Sequence, residues 1–189
     1  MNYELIILAS GSPRRRELLA EAGVPFEVHA YETDERRRTG EQAEELVQRL
    51  SLQKAKAAES HHFGRVILGA DTVVVFEGKI FGKPKDVEAA KEFLRTLSGQ
   101  THEVLTGVTL INKQGMADTW LSRTSVTFKT LTEETIATYV SMVNTLDKAG
   151  AYAIQEHGDM LVEQINGLMS NVIGLPVEEV VERLKAMEK

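Results

Sequence analysis

The run Ser10-Gly11-Ser12-Pro13-Arg14-Arg15-Arg16 sets two hydroxyls and three guanidinium groups around one turn. A turn between a strand and a helix aims backbone N–H groups and the positive helix end at one point, where an anion fits. Serine hydroxyls add directional donors, and Arg can grip a phosphate with both arms of its fork. A capped helix with solvated arginines would use the same residues, so both readings stand. Gly69-Ala70-Asp71-Thr72 sets a carboxylate at a break in an apolar β region. Such an acid is costly unless it is hydrogen-bonded or holds a metal. An Asp that stabilises a turn is the plainer account.

Gly82-Lys83-Pro84 offers a cation just after a strand. It is not the end of a phosphate-binding P-loop, because Pro84 stands where that motif needs Ser or Thr. Asp34 and Glu35 could ligate a divalent ion, although paired acids in a charged loop are commonly just solvated. Lys54 and Lys56 ride an amphipathic stretch, and either alone reads as a solvated lysine. His61-His62 lacks further close ligands, which argues against a metal site. Arg36-Arg37-Arg38 is offset by nearby acids and has no aromatic platform for a nucleic-acid strand.

These residues need elements to hold them. Leu5 to Ala9 reads as a buried strand. Ser12 is placed to cap a helix that Pro13 opens and Gly23 stops. Phe26 to Ala30 fits a second strand, and Glu32 to Glu41 is too polar to pack. Glu44 to Ala58 reads as a helix with Leu46, Leu50, Ala57 and the stem of Lys54 near one stripe. Val66 to Leu68 and Val73 to Phe76 are β-branched runs on either side of Asp71. Glu77-Gly78 makes a tight turn into Lys79 to Phe81. A helix from Val87 to Leu97 precedes two long strands, His102 to Asn112 and Thr119 to Lys129. Thr132 caps a helix with Glu133 and Glu134 in its favourable first turn. Leu161 to Ile165 and Met169 to Ile173, joined by Asn166-Gly167, suggest a closing hairpin. Pro176 opens a final helix with Val177, Val180, Val181, Leu184 and Met187 at helical spacing. The mixture predicts an α/β domain over residues 1–189, with a mixed twisted sheet flanked by helices.

Composition bounds the chemistry. The chain has 189 residues, 42% of them hydrophobic and 26% charged, an ordinary balance for a folded protein. It has no Cys, so disulfides, thiolate zinc sites and cysteine nucleophiles are excluded. Residues 1–129 carry equal numbers of acids and bases, so the net charge of −6 belongs to the C-terminal part. A sequence pI near 5.5 argues against stable nucleic-acid binding. No apolar run is long enough to span a bilayer, and Glu4 precedes the first apolar run where a signal peptide would be basic. A cytoplasmic protein is expected.

Taken in order, SGSPRRREL, RLSLQKAKA, GADTVV, GKP, LSGQTHEVLTGV, DKAGAYAIQ and NVIGLP resemble the blocks of the Maf family of nucleoside triphosphate pyrophosphatases. The resemblance spans nearly the whole chain. It implies a fold related to inosine triphosphate pyrophosphatases, with two lobes around a deep cleft. It implies hydrolysis of a nucleoside triphosphate with Mg²⁺ or Mn²⁺, Asp71 accepting the proton of the attacking water. Glu35 matches an acid associated with metal and catalysis, and with Asp71 makes the implied metal pair. Lys54 and Lys83 match catalytic lysines, while Ser10, Arg14 and Arg15 match a phosphate-gripping turn. Arg14, Thr72 and Gln155 match positions that separate the dTTP/UTP branch from the branch acting on 7-methyl-GTP, and Tyr152 agrees with the former. One block departs: the family often has YGIQG where this chain has Tyr152-Ala153-Ile154-Gln155-Glu156, which could narrow or recharge a base pocket. The family's link to cell-division arrest leaves a nucleotide sensor without turnover as one alternative, a 7-methyl-GTP pyrophosphatase is the other, and the chain could pair as a homodimer.

Overall fold

The β-branched runs become strands and the amphipathic stretches helices in the computed structural model, which describes residues 3–187. The order is β1 (Ile6–Leu8), α1 (Pro13–Glu21), β2 (Phe26–Val28), α2 (Ala43–Glu59), β3 (Ile67–Phe76), β4 (Lys79–Phe81), α3 (Val87–Leu97), β5 (Thr101–Ile111), β6 (Ala117–Phe128), α4 (Glu133–Met142), β7 (Val162–Asn166), α5 (Met169–Ile173) and α6 (Val177–Met187). Short 3₁₀ turns occupy the chain between α4 and β7. The sheet runs β2-β1-β3-β5-β6-β7, with β4 paired to β3 off this path. β1 is parallel to β2 and β3, whereas β4 on β3 and β7 on β6 are antiparallel. The fold is the expected mixed α/β arrangement. Among the described residues, no helix is long and apolar enough to cross a membrane.

The chain divides into two compact units. One comprises the chain up to Thr72, Thr106–Ser122 and everything from Gly174 on; the other comprises Val73–Leu105 and Arg123–Ile173. In the first, Ile7, Ala55, Ala58, Ile67 and Ile111 bury one another, with Tyr31 packed on them. Here α2 sits unusually low. A Cβ on Gly69 would stand 2.3 Å from the Ser51 carbonyl oxygen, and one on Gly107 2.2 Å from that of Val47. In the same unit Glu179 of α6 accepts from Trp120 and Ser122, and Arg183 stacks 4.0 Å over the Trp120 ring. In the second unit Val74, Leu94, Phe128, Tyr139, Tyr152 and Leu161 belong to one core.

Capping chemistry behaves as the residue types dictate at α3 and α4, where Asp86 and Thr132 accept from Ala89 N and Thr135 N. Ser12 occupies the N-cap of α1 but makes no side-chain cap. α2 begins at Ala43 behind a Gln42–Glu45 capping box, and its buried stripe is Leu46, Val47, Leu50, Ser51, Ala55 and Ala58. Ala57 falls outside it.

Three expectations are corrected. Gly69-Ala70-Asp71-Thr72 is no break: β3 runs through it, because Gly69 makes room for α2 rather than for a turn. Met169–Ile173 is the short helix α5, so there is no closing hairpin. Its buried residues, Ser170 and Asn171, are adjacent, which suits a helical turn and not a two-residue period. The Asn171 amide donates to Val104 O and Thr124 Oγ1 at 3.1 Å each. Residues 32–41 lack helix or strand, yet they are pinned: Glu41 is buried against Arg49 of α2.

Candidate active site

Strand alternation places the first cluster. Gly69 and Asp71 lie two apart on β3 and face the same way, toward α2. Lys54 descends from α2 onto Asp71, and its Nζ donates to Asp71 Oδ1 at 2.6 Å. The same ammonium lies 2.8 Å from Glu35 Oε1, so two carboxylates from distant parts of the chain meet on one cation. Lys54 and Asp71 are mostly buried, at 15% and 13% side-chain exposure, while Glu35 is 59% exposed. Asp34 does not join them. Arg36 takes it in a two-pronged pair at 2.8 and 2.7 Å, and that contact holds its carboxyl well below the usual range.

A second cluster forms around Arg15, on the first buried turn of α1. Its Nε donates to Gly174 O at 2.8 Å, Nη1 to Ser10 Oγ at 2.9 Å and Nη2 to Thr72 Oγ1 at 3.1 Å. Burial lowers the pKa of this guanidinium; the Asp71 charge opposes that, Arg14 adds to it, and Glu35 opposes it further. Thr72 also pairs with Thr106 Oγ1 at 2.9 Å and donates to Gly174 O at 3.2 Å. A hydroxyl has one donor and two acceptor sites. The Thr72 hydroxyl therefore has its three places taken, by Arg15, Thr106 and Gly174. Ser10 Oγ accepts from Ser12 N as well as from Arg15, which tightens the Ser-Gly-Ser turn. Arg14 is half-buried and has no hydrogen-bond partner among the described residues.

The remaining sequence candidates lie in the second unit. Lys83 is exposed beside buried Pro84, and Gln155 is exposed in the turn after Ala153. Tyr152 is buried, its hydroxyl 2.8 Å from His102 Nε2 and its ring edge-on to Phe128. It packs in the core of the second unit. Glu156 reaches the buried Lys148 ammonium at 3.1 Å, so the acid that departs from the family block is tied back to its own unit.

Tyr31 stacks on His61 at 4.4 Å, and its hydroxyl lies 2.8 Å from His62 Nε2. Among the described residues no group of three or more His, Asp or Glu could hold a metal. Two carboxylates can still suffice, because Mg²⁺ commonly takes one or two and completes its shell with water and substrate phosphates. Glu35 and Asp71, already facing one cation, fit that demand. Sequence reasoning missed Thr106, Gly174, Glu41 and Arg49. Thr106, Gly174 and Arg49 lie in blocks already noted, whereas nothing local marks Glu41 as the partner of Arg49.

The architecture has a solved counterpart in the Ham1 protein of Staphylococcus aureus, with a TM-score of 0.52 at 15% identity, covering 98% of this chain and all of that one. That likeness is one of fold. The family model for Maf-like protein matches residues 5–187, and the chain belongs to that family. It is 48% identical over 183 residues to the dTTP/UTP pyrophosphatase of Bacillus mycoides (strain KBAB4), covering 97% of this chain and 95% of that protein. It is 47% identical to the dTTP/UTP pyrophosphatase of Bacillus cereus (strain G9842), with the same coverage.

Proposed function

We propose that this chain hydrolyses dTTP and UTP between the α- and β-phosphates, releasing the nucleoside monophosphate and pyrophosphate. The observation that carries the reading is the convergence of Asp71 and Glu35 on Lys54, beside the Arg15-locked Ser10 turn. The names of the relatives at 47–48% identity supply the substrate class.

Glu35 and Asp71 would hold a Mg²⁺ or Mn²⁺ ion, which when bound neutralises charge on the phosphate oxygens. Asp71 accepts the proton of the attacking water, and its mostly buried setting fixes the carboxylate for that task. Lys54 keeps both acids aimed at one point and offers positive charge to the phosphate chain as pyrophosphate leaves. Arg15 keeps the turn rigid, and the unpaired Arg14 is available to a phosphate. The roles of Lys83 and Gln155 rest on the family resemblance alone. The nucleotide pool this activity implies is cytoplasmic.

The test is conversion of dTTP, UTP, CTP, GTP and 7-methyl-GTP to monophosphate and pyrophosphate, read directly by anion-exchange chromatography, with and without chelator. Signal with dTTP and UTP that vanishes on chelation is expected. In ¹⁸O-labelled water the label should enter the monophosphate. Nucleotide binding without any pyrophosphate would overturn the reading in favour of a sensor.

A further inference from the structure

Glu35 sits in a segment without helix or strand, yet its carboxylate stands within 2.8 Å of Lys54 Nζ. Something must hold that segment. Arg49 of α2 reaches it twice. Its fork takes the buried Glu41 carboxylate through Nε and Nη2, the latter at 2.8 Å from Oε2. The same Nη2 donates to the Arg36 carbonyl at 3.1 Å, immediately after Glu35. Gln53 braces the remaining arm, with Nη1 2.8 Å from its Oε1. Glu41 returns the grip: its Oε2 accepts from Arg38 N at 3.0 Å, and its carbonyl accepts from the Arg37 guanidinium at 2.9 and 2.6 Å. We propose that Arg49 is a positioning residue for the hydrolytic site, clasping Glu41 and the Arg36 carbonyl so that Glu35 meets Lys54.

This rests on the pyrophosphatase reading above. The logic is one of a shared frame. Arg49 and Lys54 ride the same helix, so the element that presents the ammonium also anchors the loop that brings it a carboxylate. Exposed ion pairs contribute little, but this one is bidentate and mostly shielded, with side-chain exposures of 14% and 7%. Lysine would supply a point charge without the second arm, so the two-point hold requires Arg.

The experiment compares parent, Arg49→Lys, Arg49→Gln and Glu41→Gln by dTTP kinetics, melting temperature and trypsin cleavage after Arg36, Arg37 and Arg38, read by mass spectrometry without nucleotide. The variants should lose on the order of tenfold or more in kcat, since small misplacements of a reacting group carry penalties of that size. KM should stay within about twofold of the parent, because the loop does not carry the phosphate-gripping turn. Cleavage in the arginine run should quicken in step, with Arg49→Lys intermediate in both. If Arg49→Gln does not fold, Glu41→Gln and Arg49→Lys carry the same readouts. A lowered melting temperature with unchanged kcat, or quicker cleavage with unchanged kcat, would reduce the clasp to a structural pair and overturn the proposal. A parent inactive on every nucleotide would instead sink the functional reading beneath it.

Discussion

Arg15 and Gly174 lie 159 residues apart, and the Arg15 Nε donates to the Gly174 carbonyl at 2.8 Å. The same guanidinium holds Ser10 and Thr72, so three separate stretches of the first unit share one buried cation. A planar group with several fixed donors can do this, and an ammonium cannot do it with the same directions.

Arg15→Ala should therefore cost about 2 to 4 kcal/mol of stability, as three bonds to a buried cation are lost together. Arg15→Lys should recover only a small part. Urea denaturation of the three proteins measures it. A loss below about 1 kcal/mol would mean that the bracket is slack.

Asp71→Asn should fold with a melting temperature near the parent's and lose roughly 10²- to 10⁴-fold in turnover, the usual cost of removing a general base. Size and hydrogen-bonding shape survive the change, so nucleotide affinity should largely survive as well. Near-parental turnover in a folded variant would remove Asp71 from the chemistry.

His102 gives a pH prediction. Burial pushes its pKa down to about 4, against 6.5 for the exposed group. Between those values the unfolded chain binds the proton and the folded one does not, so stability falls as pH drops from about 6.5 to about 4 and then levels for this group. The contribution is about 3 kcal/mol over that window. Denaturation midpoints at pH 7, 5.5 and 4.5 should show this slope in the parent and not in His102→Gln. Parallel slopes would place the pH dependence elsewhere.

Base preference is the boldest expectation. dTTP and UTP should exceed CTP, GTP and 7-methyl-GTP in kcat/KM, and Gln155→Glu should change the profile. An amide offers both donor and acceptor to a pyrimidine edge, whereas a carboxylate only accepts. A profile that Gln155→Glu leaves intact would take the base-reading role from this residue.

Local chemistry made much of the fold readable. Pro13, Asp86 and Thr132 mark helix starts because their backbone and side-chain demands are met within a few residues. The short apolar run Met169–Ile173 was not readable in that way, since five residues carry too little periodicity to separate strand from helix. Its state is decided by what the Asn171 amide reaches on β5 and β6. The same limit explains the site. Ser10, Arg15, Lys54 and Asp71 stand in distinctive blocks, but the charged run 32–41 reads as solvated because its anchor lies on another element. Thr72 stands in such a block too, but nothing local shows that its hydroxyl is shared among Arg15, Thr106 and Gly174.

Gly69 and Gly107 give α2 a floor made of bare backbone, and the helix rests on it as closely as atoms permit. Lys54 hangs from that helix over Asp71 on the same strand as Gly69, so the reach of their contact is gauged by two absent methyl groups. Placing an alanine at either position would act as a shim, lifting the beam that carries the ammonium while leaving every charged group unchanged. The tolerance of a charged contact is thus held by residues that have no side chain with which to touch it.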